Sequence, residues 1–400
     1  MKITLDKIQE AQKRIANIAN RTPLEFSSGV SQRLGAEVYL KYENKQPTGS
    51  FKIRGALNKI LQLTEKERAQ GIIAASAGNH AQGVAFSARH VGATSHIVMP
   101  EGSPIVKIQA TQNYGANVIL AGNYFDESYA YAQELAKENG YIFVPAFSDP
   151  NIIAGQGTLG LEVVEDLKDL DSVIVPIGGG GLISGVATAI KSLLPKCKVY
   201  GVVAENAPGM KLLYRGEPYD RKMARPSIAD GIAVKNPSQE LFDHYIKHMV
   251  DDIVSVNEAE IAEAITFLLE RTKTMVEGSG AVGLAAASKA GWDLGKKSCL
   301  ILSGGNIDLN LLAQVIEKGL SKSGRIARIE VIVSDRPGTL NELTDIIAEQ
   351  EANVLEVRHD RLSPHVEIRQ TAIDFLLETK DDQHVASIVA ALKTVGAIVR

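Results

Sequence analysis

The sequence predicts an α/β protein built on mostly parallel sheets, with a smaller α+β unit at its C-terminal end. Three observations lead there. Short apolar stretches at 71–76, 95–100, 116–120, 141–145, 172–176, 198–203 and 298–302 have the length of buried strands. Segments of helical length, such as 79–90, 105–114 and 126–139, separate most of them. Apolar strands alternating with helices are the pattern of a parallel sheet covered on both faces. Residues 325–400 then change rhythm and read strand, helix, strand, strand, helix, strand.

The chain opens with Leu5, Ile8, Ile15 and Ile18 at helical spacing, an amphipathic helix over 5–18. A loop containing Thr22 and Pro23 follows. Residues 37–43 alternate as a strand, and 44–49 read as a loop. Ser50 is the expected N-cap of a helix over 51–63, which puts Lys52 in its first turn. The partial positive charge of a helix start disfavours an ammonium there and lowers its pKa. A neutral lysine amine is a nucleophile that forms an imine with an aldehyde. A solvated lysine at a helix start fits the same stretch.

In such sheets ligands bind where strand ends meet the following loops. At Ser76-Ala77-Gly78-Asn79-His80 a strand runs into small residues and then a helix, whose N–H groups suit a carboxylate. A plain turn capped by Asn79 fits as well, and His80 reads as a structural histidine before a catalytic one. Gly178, Gly179, Gly180 and Gly181, followed by Leu182, leave bare backbone between an apolar strand and a helix. Such a loop wraps an anion, most often phosphate. It has no Lys-Ser/Thr ending of a nucleotide loop and no complete dinucleotide fingerprint. Ser303, at the end of strand 298–302, can bond a ligand ring atom or simply cap a turn.

Composition removes some classes of function. With 45% apolar and 22% charged residues the chain is an ordinary globular protein of two or three domains. A net charge of −4 gives no basic footprint for nucleic acid. Cys197 and Cys299 lack metal-ligand spacing and suit a reducing, cytoplasmic compartment. There is no signal-peptide pattern and no apolar run long enough to span a membrane.

A lysine, an asparagine, a glycine loop and a serine at strand ends together supply what pyridoxal phosphate needs. The stretches 47–56, 76–83, 153–158, 178–182 and 303–306 resemble the signatures of the threonine dehydratases (threonine ammonia-lyases), fold-type II pyridoxal-phosphate enzymes. The resemblance covers roughly residues 3–320. It implies covalent attachment of the cofactor to Lys52, with Asn79 at the ring hydroxyl and Ser303 at the ring nitrogen. It also implies Gly178, Gly179, Gly180, Gly181 and Leu182 on the phosphate, and Ser76, Asn79 and His80 at the substrate carboxylate. The implied reaction is conversion of L-threonine to 2-oxobutanoate and ammonia, and of L-serine to pyruvate and ammonia. Lys52 is then the base on the Cα proton, and the cofactor phosphate is a candidate proton donor to the leaving hydroxyl. Serine racemases are similar but carry a serine where this chain has Ala77, which disfavours racemisation. They also bind a divalent cation through an acidic trio. Here Glu205 matches one member, while Gly209 and Lys211 stand near the others, so no metal is expected. Glu277 is expected near the cofactor, in a structural or a chemical role.

Residues 1–320 are thus expected to form the catalytic domain, with a smaller lobe at about 50–145, and 321–324 a linker. The order of elements in 325–400 is ferredoxin-like, and Asp335-Arg336-Pro337-Gly338-Thr339-Leu340 at its first turn resembles an ACT domain. That resemblance implies an amino-acid effector near Pro337, Gly338 and Leu340, isoleucine or valine, or else a dimerisation module only. A homodimer or homotetramer is expected. His359 and His365 read as solvated residues. Two alternatives stay open: a racemase or another β-eliminating or β-replacing enzyme of the same fold, and a non-catalytic amino-acid sensor.

Overall fold

The computed structural model describes residues 2–362, 364 and 366–399. The chain divides into two compact units, Met1–Asp308 and Leu309–Arg400.

The first unit holds two sheets. The larger has the order Leu24–Phe26, Glu37–Tyr42, Lys297–Leu302, Ser172–Pro176, Lys198–Ala204, Asp252–Val256. Its neighbours are parallel except for the first pair, which is antiparallel. The central strands are continuous Val, Ile and Leu runs because helices cover both their faces. Val173, Val175, Val199, Ile253 and Ile301 pack with Ile183, Val186 and Ile190 of the helix Gly181–Leu193. The smaller sheet has the order Asn117–Leu120, Ser95–Met99, Ile72–Ala75, Ile142–Phe143, all parallel. Its two faces pack into separate apolar clusters, one around Ile72, Ala74 and Ile97 and the other around Ile73, Ala75 and Val98.

Register decides what meets at the strand ends. Tyr42 pairs with Leu302, so the loops leaving both strands start side by side. The loops stay together. Phe51 N–H donates to the Ser303 carbonyl at 3.0 Å, Gly305 N–H to that of Gly49 at 2.9 Å, and Ser50 bridges Gly304. Lys52 and Ser303 are thereby delivered to one place. Ser50 is consequently not the N-cap expected from the sequence. It is buried in this bridge, and the helix runs Lys52–Ile60 with Phe51 before it and no side-chain cap. The first helix is also shorter than expected, Leu5–Ile15, because Asn17 turns the chain with φ +68°.

The second unit has the sheet order Asn353–Asp360, Gln370–Glu378, Ile326–Ser334, Ile398–Val399, all antiparallel. The helices Thr339–Glu349 and Asp382–Lys393 supply Leu343, Ile347, Ile388 and Leu392 to its core. This is the ferredoxin-like order. The linker expected at 321–324 is not one. The helix Leu309–Lys322 ends in a tight turn, in which Gly324 (φ +65°) N–H donates to Ser321 O and Arg325 N–H to Leu320 O at 2.9 Å. That turn ties the helix to the strand Ile326–Ser334, and the helix is counted with the second unit, not with the first. Pro337 and Gly338 form the turn before Thr339–Glu349, with Gly338 at φ +91° and Leu340 exposed. His359 is exposed on the strand Asn353–Asp360, and His365 lies outside the described residues.

Candidate active site

A cavity of about 620 Å³ opens in the first unit and is lined by residues from the carboxyl ends of both sheets. Lys52, Ser76, Asn79, His80, the Gly178–Leu182 stretch and Ser303 all line it. Residues more than 200 positions apart in sequence thus converge because parallel strands point their carboxyl ends the same way.

Lys52 is the first residue of its helix. The residue is half-buried, and its ammonium donates to the Ala146 carbonyl at 3.1 Å. Burial lowers its pKa to about 8, against the opposing pull of the Glu277 carboxyl. The sequence had pointed to the helix end as the cause; the larger cause is burial in the cavity.

The strand Ile72–Ala75 ends at Ser76, whose Oγ accepts from Gly78 N–H at 3.2 Å. Gly78 rather than Asn79 caps the helix Asn79–His90. This frees the Asn79 carboxamide for the cavity. Its Nδ2 donates to Glu277 Oε1 and Oε2 at 2.8 and 3.1 Å, and its Oδ1 accepts from Asn306 Nδ2 at 2.7 Å. His80 is buried, with Nε2 2.9 Å from the Val144 carbonyl. Burial and the nearby Lys52 charge push it down to about 3, so the imidazole is neutral and Nε2–H is the donor. His80 therefore pins the strand end that carries Val144 and is no acid at neutral pH.

Gly180, at φ +104°, ends the loop before the helix Gly181–Leu193, which has no side-chain cap. Uncapped N–H groups with the helix dipole behind them favour an anion. A Cβ on Gly179 would come within 2.5 Å of the Phe147 ring, so a side chain there displaces either the ring or the loop. Ser303 Oγ donates to the Ser279 carbonyl at 3.2 Å. Beside it Ser279 Oγ is buried, lines the cavity and has no hydrogen-bond partner among the described residues. A half-buried amine of lowered pKa, an uncapped helix start and an unsatisfied hydroxyl fit an aldehyde cofactor with a phosphate arm.

Three features escaped sequence reasoning. Lys107 and Asp230, both lining the cavity, form an ion pair of 2.5 Å. Asn306, noted only as part of a motif, holds Asn79. Behind the site Arg54 pairs with Glu43 (2.7 Å) and Glu162 (2.6 Å), and Lys41 with Glu162 (2.6 Å), all four buried. Burial alone raises the Glu43 pKa, but Arg54 beside it more than offsets this and leaves it below the usual range. Only the place of Arg54 next to Lys52 hinted at this network. Among the described residues, no three His, Cys, Asp or Glu side chains gather as a metal site. Near Glu205, the Lys211 ammonium instead donates to Ser255 Oγ at 2.8 Å. No helix of the described residues is long and apolar enough to cross a membrane.

The profile of the family "Pyridoxal-phosphate dependent enzyme" matches residues 15–304, and that of the ACT domain matches 321–400. The chain is 52% identical to an L-threonine ammonia-lyase of Thermotoga maritima, over 100% of this chain and 99% of that relative. It is similar to the solved structure of threonine deaminase isoform 2 from Solanum lycopersicum (TM-score 0.72, 37% identity, 78% of this chain and 93% of that one). Maize serine racemase is also similar (TM-score 0.73, 33% identity, 80% and 99%). The chain belongs to the pyridoxal-phosphate dependent enzymes, in the threonine ammonia-lyase family, and ends in an ACT domain.

Proposed function

We propose that this protein converts L-threonine to 2-oxobutanoate and ammonia, and L-serine to pyruvate and ammonia. The observation that carries the reading is the half-buried Lys52 amine of lowered pKa, in one cavity with the uncapped glycine loop. In this reading Lys52 holds the cofactor aldehyde. The N–H groups of Gly178, Gly179, Gly180, Gly181 and Leu182 hold its phosphate, Asn79 its ring hydroxyl and Ser303 its ring nitrogen. When bound, the cofactor supplies an electron sink conjugated to the substrate Cα.

The protein's residues do the rest. Ser76 and the N–H groups of the turn leading into the Asn79–His90 helix receive the substrate carboxylate. This orients Cα–H toward Lys52, whose amine near pH 8 takes the proton. Ser303, a neutral hydroxyl, would hold the ring nitrogen without forcing a proton onto it as a carboxylate would, which would favour loss of the β-hydroxyl, with a proton, as water. Over the whole reaction the water lost is regained on release of ammonia. Ala77 offers no hydroxyl to protonate the opposite face, which supports elimination over racemisation.

The ACT domain is read as an amino-acid sensor acting around Pro337, Gly338 and Leu340, with isoleucine or valine as effector. A homodimer or homotetramer belongs to the same reading. The edge strand Asn353–Asp360, with Leu355 and Val357 exposed, supports it. Cytoplasmic residence fits the two free, buried cysteines. Incubation with L-threonine and L-serine tests the reaction. The reading expects 2-oxobutanoate and pyruvate; D-serine as main product, or no product from a coloured protein, would overturn it.

A further inference from the structure

The Asn79 carboxamide is held at both ends. The Thr48 carbonyl can only accept, so the atom facing it at 2.8 Å must be Asn306 Nδ2. The second hydrogen of that nitrogen goes to Asn79 Oδ1 at 2.7 Å. Asn79 Nδ2 is then the end that faces Glu277, at 2.8 and 3.1 Å. The Asn306 backbone also favours the charged form of the Glu277 carboxyl. Room has been left for this. A Cβ on Gly304 would lie 2.4 Å from Glu277 Oε1, and one on Gly49 would lie 2.3 Å from Asn306 Oδ1.

We propose that Glu277 and Asn306 are positioning residues that clamp Asn79, so that the amide nitrogen, and not its oxygen, is offered to the ring oxygen of the cofactor. A free asparagine amide presents either end with little preference. The clamp removes that choice. One Nδ2 hydrogen is spent on Glu277 and the other is left for the cavity. The charged groups facing Glu277 are Asp230 with its partner Lys107, and Lys52 across the cavity. Asp308 lines the same cavity. Burial and Asp230 push Glu277 up to about 7, so it accepts fully above neutrality and shares its own proton below.

The inference rests on the cofactor reading above, and the experiment separates the two. Full-length protein is loaded with pyridoxal phosphate, reduced with borohydride and mapped; no label on Lys52 overturns the reading itself. With the label present, visible absorption is followed against pH, and cofactor dissociation is measured by dialysis, for wild type, Glu277→Gln and Asn306→Asp. Wild type is expected to show a spectral transition near neutrality. Glu277→Gln is expected to lack it and to release cofactor about tenfold more readily. Asn306→Asp cannot donate to Asn79 and is expected to shift the absorption band at fixed pH. If either fails to fold by circular dichroism, Gly304→Ala, which pushes the Glu277 carboxyl aside, takes its place with the same expectation. Variants that keep the wild-type band, midpoint and dissociation constant overturn the proposal. Looser cofactor with an unmoved spectrum also does, since that is a merely structural effect.

Discussion

At pH 7 a lysine titrating near 8 is unprotonated in roughly one molecule in ten, against about one in three thousand for a solvated lysine. For Lys52 that difference would let the amine attack an aldehyde at neutral pH, as the proposed function requires. The pKa is lowered, so the reactive form gains as pH rises and saturates above about 8. The rate at which cofactor-free protein takes up pyridoxal phosphate is therefore expected to rise roughly 25-fold from pH 6.5 to 8.5 and then level off. A rate that keeps climbing to pH 10.5 would mean an ordinary lysine. Lys52→Ala is expected to lose both visible colour and turnover with circular dichroism unchanged. His80 is neutral throughout this range, and its titration contributes nothing to the profile. At this scale the sequence was readable where a motif carried the residue, as for Lys52, Asn79 and Ser303. It was silent on pairings. Asn79 and Glu277 are 198 positions apart, and nothing local to either announces the other.

Elements explain which loops could be foreseen. Strands buried on both faces, such as Ser172–Pro176 and Lys198–Ala204, show as unbroken apolar runs. Asp252–Val256 and Leu24–Phe26 at the sheet edges were missed, because an edge strand is partly exposed and its pattern is mixed or short. The Ser50 cap was wrong for a related reason: cross-loop pairing with Gly304 outweighed local capping preference. Gly179→Ala sets a methyl against the Phe147 ring, and cofactor retention is expected to fall about tenfold or more by fluorescence titration. An unchanged dissociation constant would show that the loop yields freely. Arg54→Ala strands the buried Glu43 carboxylate, leaves Glu162 with Lys41 alone, and is expected to cost about 3–5 kcal/mol in urea unfolding. A loss under about 1 kcal/mol would mean that the network is relieved by water or protonation.

For the whole molecule, the two-unit plan was legible because the element rhythm changes after residue 325. The exact break was not, since a helix ending in a tight turn and a flexible linker share the residues Ser, Lys and Gly. If the ACT unit senses amino acids, the threonine dependence of keto-acid formation should shift at least severalfold on adding isoleucine or valine. Leu340→Asp should then abolish that response without changing the basal rate. An identical saturation curve with either amino acid would leave the unit an assembly module.

The proposed imine at Lys52 is tested most directly by loading the full-length protein with pyridoxal phosphate, reducing it with borohydride and mapping its peptides by mass. The expected result is a single pyridoxyl addition on the peptide containing Lys52. An unmodified Lys52, or the label on another lysine, would contradict the account.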